Sequence, residues 1–476
     1  KYEEIISKIQ NLIKEPPVEV PVRTYAKALE DYNTKFIHSK EIFEELRKVI
    51  PSGIQHMNTL PKSPFPIIMK KAEGAYLYDI DNHPFIDYLS TSGPNMLGHN
   101  YPEVRDFVLQ ILKEEGPCTG LMTEHELLAA KAITKHVKSV KQVRWYQSGT
   151  EANMAAVRIA RAYTGKEKII KIMGHYHGWA DQFLLDLHIP GTGNLFAYGV
   201  PKEYYSHTIS VPPNNIEVIE QAMKDYQGDG TKGIAALICE PIGGDSGTMP
   251  IIPDYNKQLR ELCDRYGVLL IFDEVVTGFR LALGGAQEYY KIKADLTTFG
   301  KIIAHEYPSA GAVGGPEEIM SLTYKGKNPN STGLGDSVFT AGTMAGNNIT
   351  CAATYKSIEC IEKTNAIDIA AQVADELVEK LNHIFEEYKL PFFTYNIQSV
   401  IQLWMGGFYG VPLSSPDAFQ QIGLRQANNS KYALMLALES INTLQSIRMY
   451  STLAHKPNDI IEKTLTSFEN FCGKLK

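Results

Sequence analysis

Two charged residues follow or end segments that predict buried strands. Lys301 comes directly after the apolar run "LTTFG" and is followed by Ile302 and Ile303. An ammonium in such surroundings is costly, so a surface role fits Lys301 poorly. Asp273 ends the run "VLLIFD". A carboxylate buried there needs a cation or several hydrogen-bond donors, which makes Asp273 a candidate for an ion pair, a metal ligand or the partner of a protonated ligand nitrogen.

A third candidate is the Ser148-Gly149-Thr150 turn, which directly precedes the helical pattern "EANMAAVRIARAY". A helix start opened by glycine presents free N–H groups and the positive end of the helix dipole, and together these can bind a phosphate. Serine and threonine at this place can also be simple helix caps. Alone, the turn does not decide between these two roles.

The three positions together match what pyridoxal phosphate (PLP) demands. Its aldehyde needs an amine, its pyridine nitrogen needs an acidic partner, and its phosphate needs N–H donors. Lys301, Asp273 and the 148–150 turn supply these groups in that order, and Tyr176 in "GHYHGW" adds a ring that could stack on a flat cofactor. The combination predicts a PLP site more specifically than any one part does.

The rhythm of the chain predicts the elements that position these residues. From about residue 125 to 315, helical patterns alternate with short apolar runs such as "KIIKIM" and "IAALICEPI". This alternation predicts a mainly parallel sheet with helices on both faces, in which ligands bind at the carboxyl ends of the strands. The segment after Lys301, "SAGAVGG", is rich in glycine and predicts a turn.

The flanking segments predict a smaller α+β domain. Residues 1–85 combine an N-terminal arm, an amphipathic helix and a hairpin pattern, and residues 345–476 combine a long helical pattern, "SVIQLWMGG" and a final helix. We therefore expect an α/β protein. Residues 86–344 form its large PLP-binding domain, and the two flanking segments form the small domain.

Composition argues against several classes of protein. The 476 residues are 44% hydrophobic and 21% charged, which suits a globular chain with more than one core. The net charge of −7 offers no basic excess for nucleic acid or an anionic membrane, and no apolar run approaches the roughly 20 residues of a membrane span. The six scattered cysteines form no CxxC pair. They predict reduced thiols, a cytoplasmic protein and no metal site.

Several motifs resemble, in order and spacing, the class III PLP-dependent aminotransferases of fold type I. They are "SGTEANMAAVRIARAYTG", "YHGW", "ICEPIGGDSG", "IFDEVVTGFR", "TTFGKII" and "GTMAGN". The likeness extends from about Gly74 to "LAHKPNDI" and is greatest to the branch containing glutamate-1-semialdehyde 2,1-aminomutase. It implies a mainly parallel central sheet covered by helices and a smaller α+β domain.

The resemblance also implies a role for each matching residue. Lys301 would form the Schiff base with PLP and move the substrate's α-proton, and Asp273 would pair with the pyridinium nitrogen. Thr343 would reach the phosphate of the neighbouring subunit's cofactor, which implies a homodimer. The remaining cofactor contacts would be Ser148, Gly149, Thr150, Tyr176, His177, Glu240, Asp245 and Val275, with Tyr176 and Val275 on opposite faces of the ring.

Two departures from the aminomutase pattern lie near the cofactor and the substrate. In the segment 51–59 the aminomutase carries an arginine for the substrate carboxylate, whereas this chain offers His56 and Asn58. Asp245 stands where the family has an asparagine near the phenolic oxygen of the cofactor. It would place a negative charge or a proton donor there, unless it faces solvent.

Two further departures concern the substrate entrance. His305 and Glu306 replace part of a glycine triplet after the lysine, so they either indicate a different substrate or are a detail of the surface. Arg448 lies near the place of an aminomutase glutamate. It could bind a substrate carboxylate, or it could form a surface ion pair.

We therefore predict a transaminase that uses small amino and keto substrates. An aminomutase or an amino-acid racemase would share the Schiff base and differ in whether the amino group leaves. A PLP-binding protein without this chemistry is the alternative of another class. The chain has no GxGxxG motif after its first strand, which argues against a dehydrogenase.

Overall fold

The computed structural model describes residues 2–56, 64–188, 191–324, 337–443, 445 and 447–476. The helices within these residues are α1 (Tyr2–Lys14), α2 (Val22–Lys35), α3 (Ile37–Val49), α4 (Pro102–Glu114), α5 (Glu124–His136), α6 (Gly149–Thr164), α7 (Lys202–Tyr205), α8 (Ile216–Asp225), α9 (Gly244–Gly247), α10 (Tyr255–Tyr266), α11 (Gly285–Tyr290), α12 (Glu317–Met320), α13 (Asn348–Thr364), α14 (Ala366–Glu387), α15 (Ala418–Leu438) and α16 (Asn458–Gly473).

The strands within the same residues are β1 (Met69–Glu73), β2 (Tyr76–Asp79), β3 (Pro84–Asp87), β4 (Gln142–Tyr146), β5 (Lys168–Ile172), β6 (Thr208–Val211), β7 (Ile234–Cys239), β8 (Leu269–Asp273), β9 (Leu296–Gly300), β10 (Gly311–Gly315), β11 (Phe393–Ile397), β12 (Val400–Trp404), β13 (Ile441–Asn442) and β14 (Arg448–Tyr450). Contacts divide the chain into two compact units. The middle unit is Pro102–Thr364, and the terminal unit joins Lys1–Tyr101 to Asn365–Lys476.

The middle unit is built on one sheet with the strand order β4-β10-β9-β8-β7-β5-β6. Neighbouring strands from β9 to β6 pair in parallel. Strand β10 runs antiparallel to both β9 and β4. Every residue of β7 and β9 is buried, which explains why these strands are continuous apolar runs rather than alternating ones. The predicted α/β fold with a mainly parallel central sheet is confirmed.

Strand β10 differs from the sequence expectation. The glycine-rich residues 311–315 form a buried central strand and not a turn. Glycine has a low intrinsic preference for strands, but pairing on both edges overrides that preference here. Gly311 pairs with Gly300 on β9 and with Tyr146 on β4, so β10 aligns the end of β9 with the end of β4.

The terminal unit contains a sheet of order β1-β2-β3-β13 and a second sheet of order β11-β12-β14. Strands β2 and β3 are antiparallel, so the predicted hairpin is present. The buried guanidinium of Arg425 on α15 donates to the carbonyls of Gly406 and Ile13, and thereby ties the end of α1 to the core. Within the described residues, no helix is both long and apolar enough to cross a membrane.

The two units divide the chain at other points than the predicted 85/86 and 344/345 boundaries. Residues 86–101 belong to the terminal unit, because β3 pairs with both β2 and β13. Residues 345–364 belong to the middle unit, because α13 packs against α4 and α5.

Candidate active site

Asp273 lies buried at the carboxyl end of β8, where four donors surround its carboxylate. Oδ2 accepts hydrogen bonds from His177 Nδ1 and from Asn153 Nδ2, both at 2.8 Å. Oδ1 accepts from the backbone N–H of Val275 at 3.1 Å and lies 3.4 Å from the hydroxyl of Thr298. The several donors that a buried carboxylate requires are therefore present.

The donors to Asp273 are themselves fixed by hydrogen bonds. Asn153 accepts from the Thr298 hydroxyl at 2.7 Å and donates to the backbone carbonyl of His177 at 3.1 Å. Burial lowers the pKa of His177, although its bond to Asp273 acts in the opposite direction. A neutral His177 donates to this carboxylate through Nδ1. This network joins α6, β8, β9 and the loop after β5.

Lys301 directly follows β9 and is half-buried. Its backbone has a φ of 48°, in the left-handed region that residues other than glycine rarely adopt. Within the described part of the chain, its Nζ has no hydrogen bond or ion pair. A lysine held in an uncommon backbone conformation with an uncommitted amine is typical of a functional position.

The Ser148-Gly149-Thr150 turn forms the beginning of α6. Ser148 is the N-cap, and its hydroxyl accepts a hydrogen bond from the N–H of Glu151 at 3.2 Å, so this serine does cap the helix. The first N–H groups of a helix have no partners within the helix and remain able to bind an anion. Capping and phosphate binding are therefore compatible at this turn.

Val275 lies against both the turn at Gly149 and the end of β9 at Gly300. A Cβ added to Gly149 would lie 2.9 Å from Val275 Cγ2, and one added to Gly300 would lie 3.0 Å from Val275 Cγ1. Thr150 in turn packs against Gly178, where an added Cβ would lie 2.1 Å from the threonine hydroxyl. The structure therefore brings together the ends of β8 and β9, the start of α6 and the loop after His177.

Glu240 connects the loop that carries Tyr176 to the loop that carries Asp245. Its carboxylate accepts from the backbone N–H groups of Tyr176, Asp245 and Ser246 at 2.7, 2.9 and 2.8 Å. Burial, reinforced by the nearby carboxylates of Asp273 and Asp245, raises the pKa of Glu240 to about 7. Glu240 thus acts on the site through the backbone of its two neighbouring loops.

Tyr176 and Asp245 lie beside a residue that the sequence did not single out. The ring of Tyr176 is 41% exposed and stacks on the ring of His188, with centroids 5.6 Å apart and planes 12° apart. Asp245 is partly buried, with a φ of 50°, and its Oδ2 lies 3.5 Å from His188 Nδ1. The interpretation that Asp245 simply faces solvent does not fit these contacts.

The predicted substrate residues and the predicted cofactor contact Thr343 are divided between the two units. In the middle unit, His305 is buried and its Nδ1 lies 3.8 Å from a carboxylate oxygen of the partly exposed Glu306, so His305 is not a surface detail. Thr343 in the same unit is exposed. In the terminal unit, His56 is exposed, and Asn58 lies outside the described residues.

Arg448, also in the terminal unit, is not a surface residue. It lies buried on β14, with Nε 3.4 Å from Gln402 Oε1 and Nη1 3.3 Å from the hydroxyl of Tyr450. The alternative of a surface ion pair is therefore wrong, and the substrate role stays a prediction.

Sequence reasoning missed Asn153, Thr298 and His188. A signal existed for Asn153, which is the polar residue in the otherwise apolar buried face of α6 formed with Ala152, Ala156 and Ala160. Thr298 lies in a run that predicts a buried strand, where a hydroxyl needs a partner. His188 lies in a segment with no hydrophobic periodicity, so only the folded structure reveals its neighbours.

Comparison with known proteins establishes the family. The family described as "Aminotransferase class-III" matches residues 59–417, and the chain belongs to this family. An ω-transaminase structure from Sphaerobacter thermophilus is 25% identical, with a TM-score of 0.79 over 92% of this chain and 97% of that one. A transaminase with PLP bound is 25% identical, with a TM-score of 0.80 over 92% and 98%.

A variant of glutamate-1-semialdehyde aminomutase from Pseudomonas aeruginosa in complex with PMP shares the fold. It is 20% identical, with a TM-score of 0.80 over 99% of both chains. The protein is thus a PLP enzyme, and its residues fit the cofactor. A helix start without a side chain at Gly149, a buried carboxylate at Asp273 and an uncommitted amine at Lys301 together provide the donor set that the phosphate, the ring nitrogen and the aldehyde require.

Proposed function

We propose that the protein is an aminotransferase that moves an amino group between an amino acid or related amine and a keto or aldehyde acceptor. The observation that carries the proposal is that the neighbouring strands β8 and β9 bring Asp273 and Lys301 to one edge of the sheet. Asp273 ends β8 with hydrogen bonds to both carboxylate oxygens, and Lys301 directly follows β9 with an amine that has no hydrogen bond or ion pair within the described residues. When bound, PLP supplies an aldehyde for an amine and a ring that takes up the electrons of the substrate's broken C–H bond.

Each group of this chain has a separate task in the proposal. The N–H groups at Gly149 and Thr150 bind the phosphate at the positive end of α6. Asp273, held in place by its hydrogen-bond donors, pairs with the protonated ring nitrogen. Tyr176 and Val275 flank the ring and fix its plane. Lys301 then takes the proton from the substrate's α-carbon and returns it to the adjacent carbon of the cofactor.

We also infer a homodimer in which Thr343 contributes to the neighbouring active site. Support comes from exposed apolar side chains of the middle unit near Thr343, including Met122, which is 93% exposed, and Phe339, which is 76% exposed. A Cβ added to Gly120 would lie 4.0 Å from the Thr343 carbonyl, so the loops bearing Met122 and Thr343 are adjacent. Such an apolar surface favours a partner subunit.

An isomerase of the same family is the second candidate. The partly buried carboxylate of Asp245 beside Tyr176 favours it, because racemisation requires a second acid or base in addition to a lysine. By the resemblance, an aminomutase would instead return the amino group to the same molecule.

An absorbance assay distinguishes these reactions. Purified protein with PLP is mixed with a panel of amino donors in the absence of any keto acid, and Lys301→Ala is the matched control. Conversion of the PLP band to that of the amine form, reversed by adding a keto acid, is the result expected of an aminotransferase. A band that persists while a substrate racemises or isomerises would favour the second candidate. Failure to bind PLP would refute both.

A further inference from the structure

A loop after β5 is closed at its base by hydrogen bonds of its own backbone. Its described residues are 184–188 and 191–196, and we call it the His188 loop. Leu185 and Leu195 form an antiparallel bridge, and the N–H of Phe196 donates to the carbonyl of Leu184 at 2.8 Å. The N–H of Asp186 donates to the carbonyl of Asn194 at 3.0 Å. The two ends of the loop are therefore held in a fixed register.

Asp186 fixes the loop further. It is buried, with a φ of 49°, and its carboxylate accepts from the N–H of Gly193 at 2.6 Å and from the hydroxyl of Thr192 at 3.2 Å. Its carbonyl accepts from the N–H of Gly174 at 2.8 Å, two residues before Tyr176. The loop is therefore joined to the segment that carries Tyr176.

A buried lysine supports the same loop from the sheet. The ammonium of Lys171 on β5 donates to the carbonyl of Leu185 at 3.0 Å and lies 3.5 Å from the carbonyl of Asp186. Burial lowers the pKa of Lys171 to about 8. Burying an ammonium is costly, and the carbonyls of the loop supply acceptors that offset this cost, so the lysine and the loop fix each other's position.

The loop places the His188 ring between three side chains. The ring stacks on Tyr176, meets Phe196 edge-on with centroids 5.5 Å apart, and directs Nδ1 towards Asp245 at 3.5 Å. Tyr176 and Asp245 are the two residues that the family resemblance assigns to the face of the cofactor ring and to its phenolic oxygen. His188 therefore contacts both of these residues.

We propose that His188 is a positioning residue of the PLP site, which acts on the cofactor through Tyr176 and Asp245. The inference rests on the proposed function. His188 covers one face of the Tyr176 ring and leaves the other for the cofactor, and it holds the Asp245 carboxylate to one side. The His188 loop thereby forms part of the wall of the site.

The test measures how tightly PLP is retained, by titrating PLP against each purified variant and following its absorbance. We expect His188→Ala to weaken PLP binding about tenfold, because the stacked ring and the imidazole nitrogen that faces Asp245 are both lost. His188→Phe keeps the ring and should lose only about threefold. His207→Ala is the matched control, because this half-exposed imidazole likewise lies near a carboxylate, with Nδ1 3.6 Å from Glu167, elsewhere in the middle unit.

A double-mutant cycle separates positioning from a general loss of stability. If His188 acts through Asp245, the effects of His188→Phe and Asp245→Asn on PLP affinity should not add. Additive effects, or an affinity of His188→Ala within about twofold of both wild type and His207→Ala, would overturn the inference. Thermal unfolding of each variant shows whether it is folded. If His188→Ala does not fold, the double-mutant cycle with His188→Phe alone decides whether the inference holds. If wild type binds no PLP, the proposed function itself fails first.

Discussion

The ends of β8 and β9 lie side by side in the sheet, but the charged residues at these two ends differ in their hydrogen bonding. Asp273 at the end of β8 is surrounded by donors from three other segments and by the N–H of Val275. Lys301 directly after β9 has no hydrogen bond or ion pair within the described residues. The carboxylate is fixed by hydrogen bonds and the amine remains available, which is the difference that the proposed roles of Asp273 and Lys301 require.

The largest expected effect comes from removing the amine of Lys301. Lys301→Ala should lower the rate of amino transfer by about 10³-fold or more, because the proton carrier is lost. The free energy of unfolding should change little, because the ammonium has no hydrogen bond or ion pair within the described residues. Single-turnover rates and denaturant unfolding measure the two effects, with the exposed Lys202→Ala as control. A large loss of stability in Lys301→Ala would contradict the comparison.

Removing the hydrogen-bonded carboxylate of Asp273 should lower both the rate of amino transfer and the free energy of unfolding. Asp273→Asn places an amide NH₂ against one set of the donors from His177, Asn153 and Val275, so about 1–3 kcal/mol of stability should be lost. The rate should fall by about 10²- to 10³-fold, because the acidic partner of the ring nitrogen is gone. Asp273→Glu keeps the charge and tests whether position matters as much as charge. An unchanged free energy of unfolding in Asp273→Asn would refute the proposed role of the donor network.

A third charged residue, Glu240, directly follows the neighbouring strand β7 and extends the comparison, because its pKa is altered. The pKa of Glu240 is raised from its ordinary 4.5 to about 7, so the folded state binds the proton more tightly than the unfolded state. The resulting stabilisation is fully present below about pH 4.5 and is lost as the pH rises towards 7, a loss of roughly 3 kcal/mol. Glu240→Gln should remove this loss.

The measurement is the free energy of unfolding from pH 4 to 8 in wild type and Glu240→Gln. Burial lowers the pKa of His175 and His177, so their contributions are lost in the opposite direction, as the pH falls below about 6.5. Both proteins contain these histidines, so the difference between the two curves isolates Glu240. Parallel curves would show that folding does not raise the pKa of Glu240, and would refute this prediction.

The sequence predicted the positions of these strand ends but not their surroundings. Continuous apolar runs that end in Asp273 or precede Lys301 locate the site, because buried parallel strands and their carboxyl ends have a local pattern. The donors to Asp273 come from Asn153, His177 and Thr298, which are distant in sequence, so their convergence depends on the register of the sheet. Glycine content misled the prediction for β10, where pairing on both edges outweighs local preference.

The smallest expected effect tests the contact between the start of α6 and the residue that follows Glu274 after β8. Gly149→Ala places a methyl group 2.9 Å from Val275 Cγ2, so the start of α6 must shift away from the end of β8. We expect a loss of about 2 kcal/mol in the free energy of unfolding and weaker binding of PLP, because an overfilled contact displaces the N–H groups of the helix. Denaturant unfolding and a PLP titration measure both effects.

The double variant Gly149→Ala with Val275→Ala distinguishes a clash from a loss of glycine itself. Gly149 is the first residue of α6 and is not among the residues with positive φ, so alanine suits its backbone and only the valine side chain obstructs it. If the clash is the cause, shortening Val275 should restore most of the PLP affinity that Gly149→Ala loses. If the double variant binds PLP no better, the contact between Gly149 and Val275 does not position the helix start.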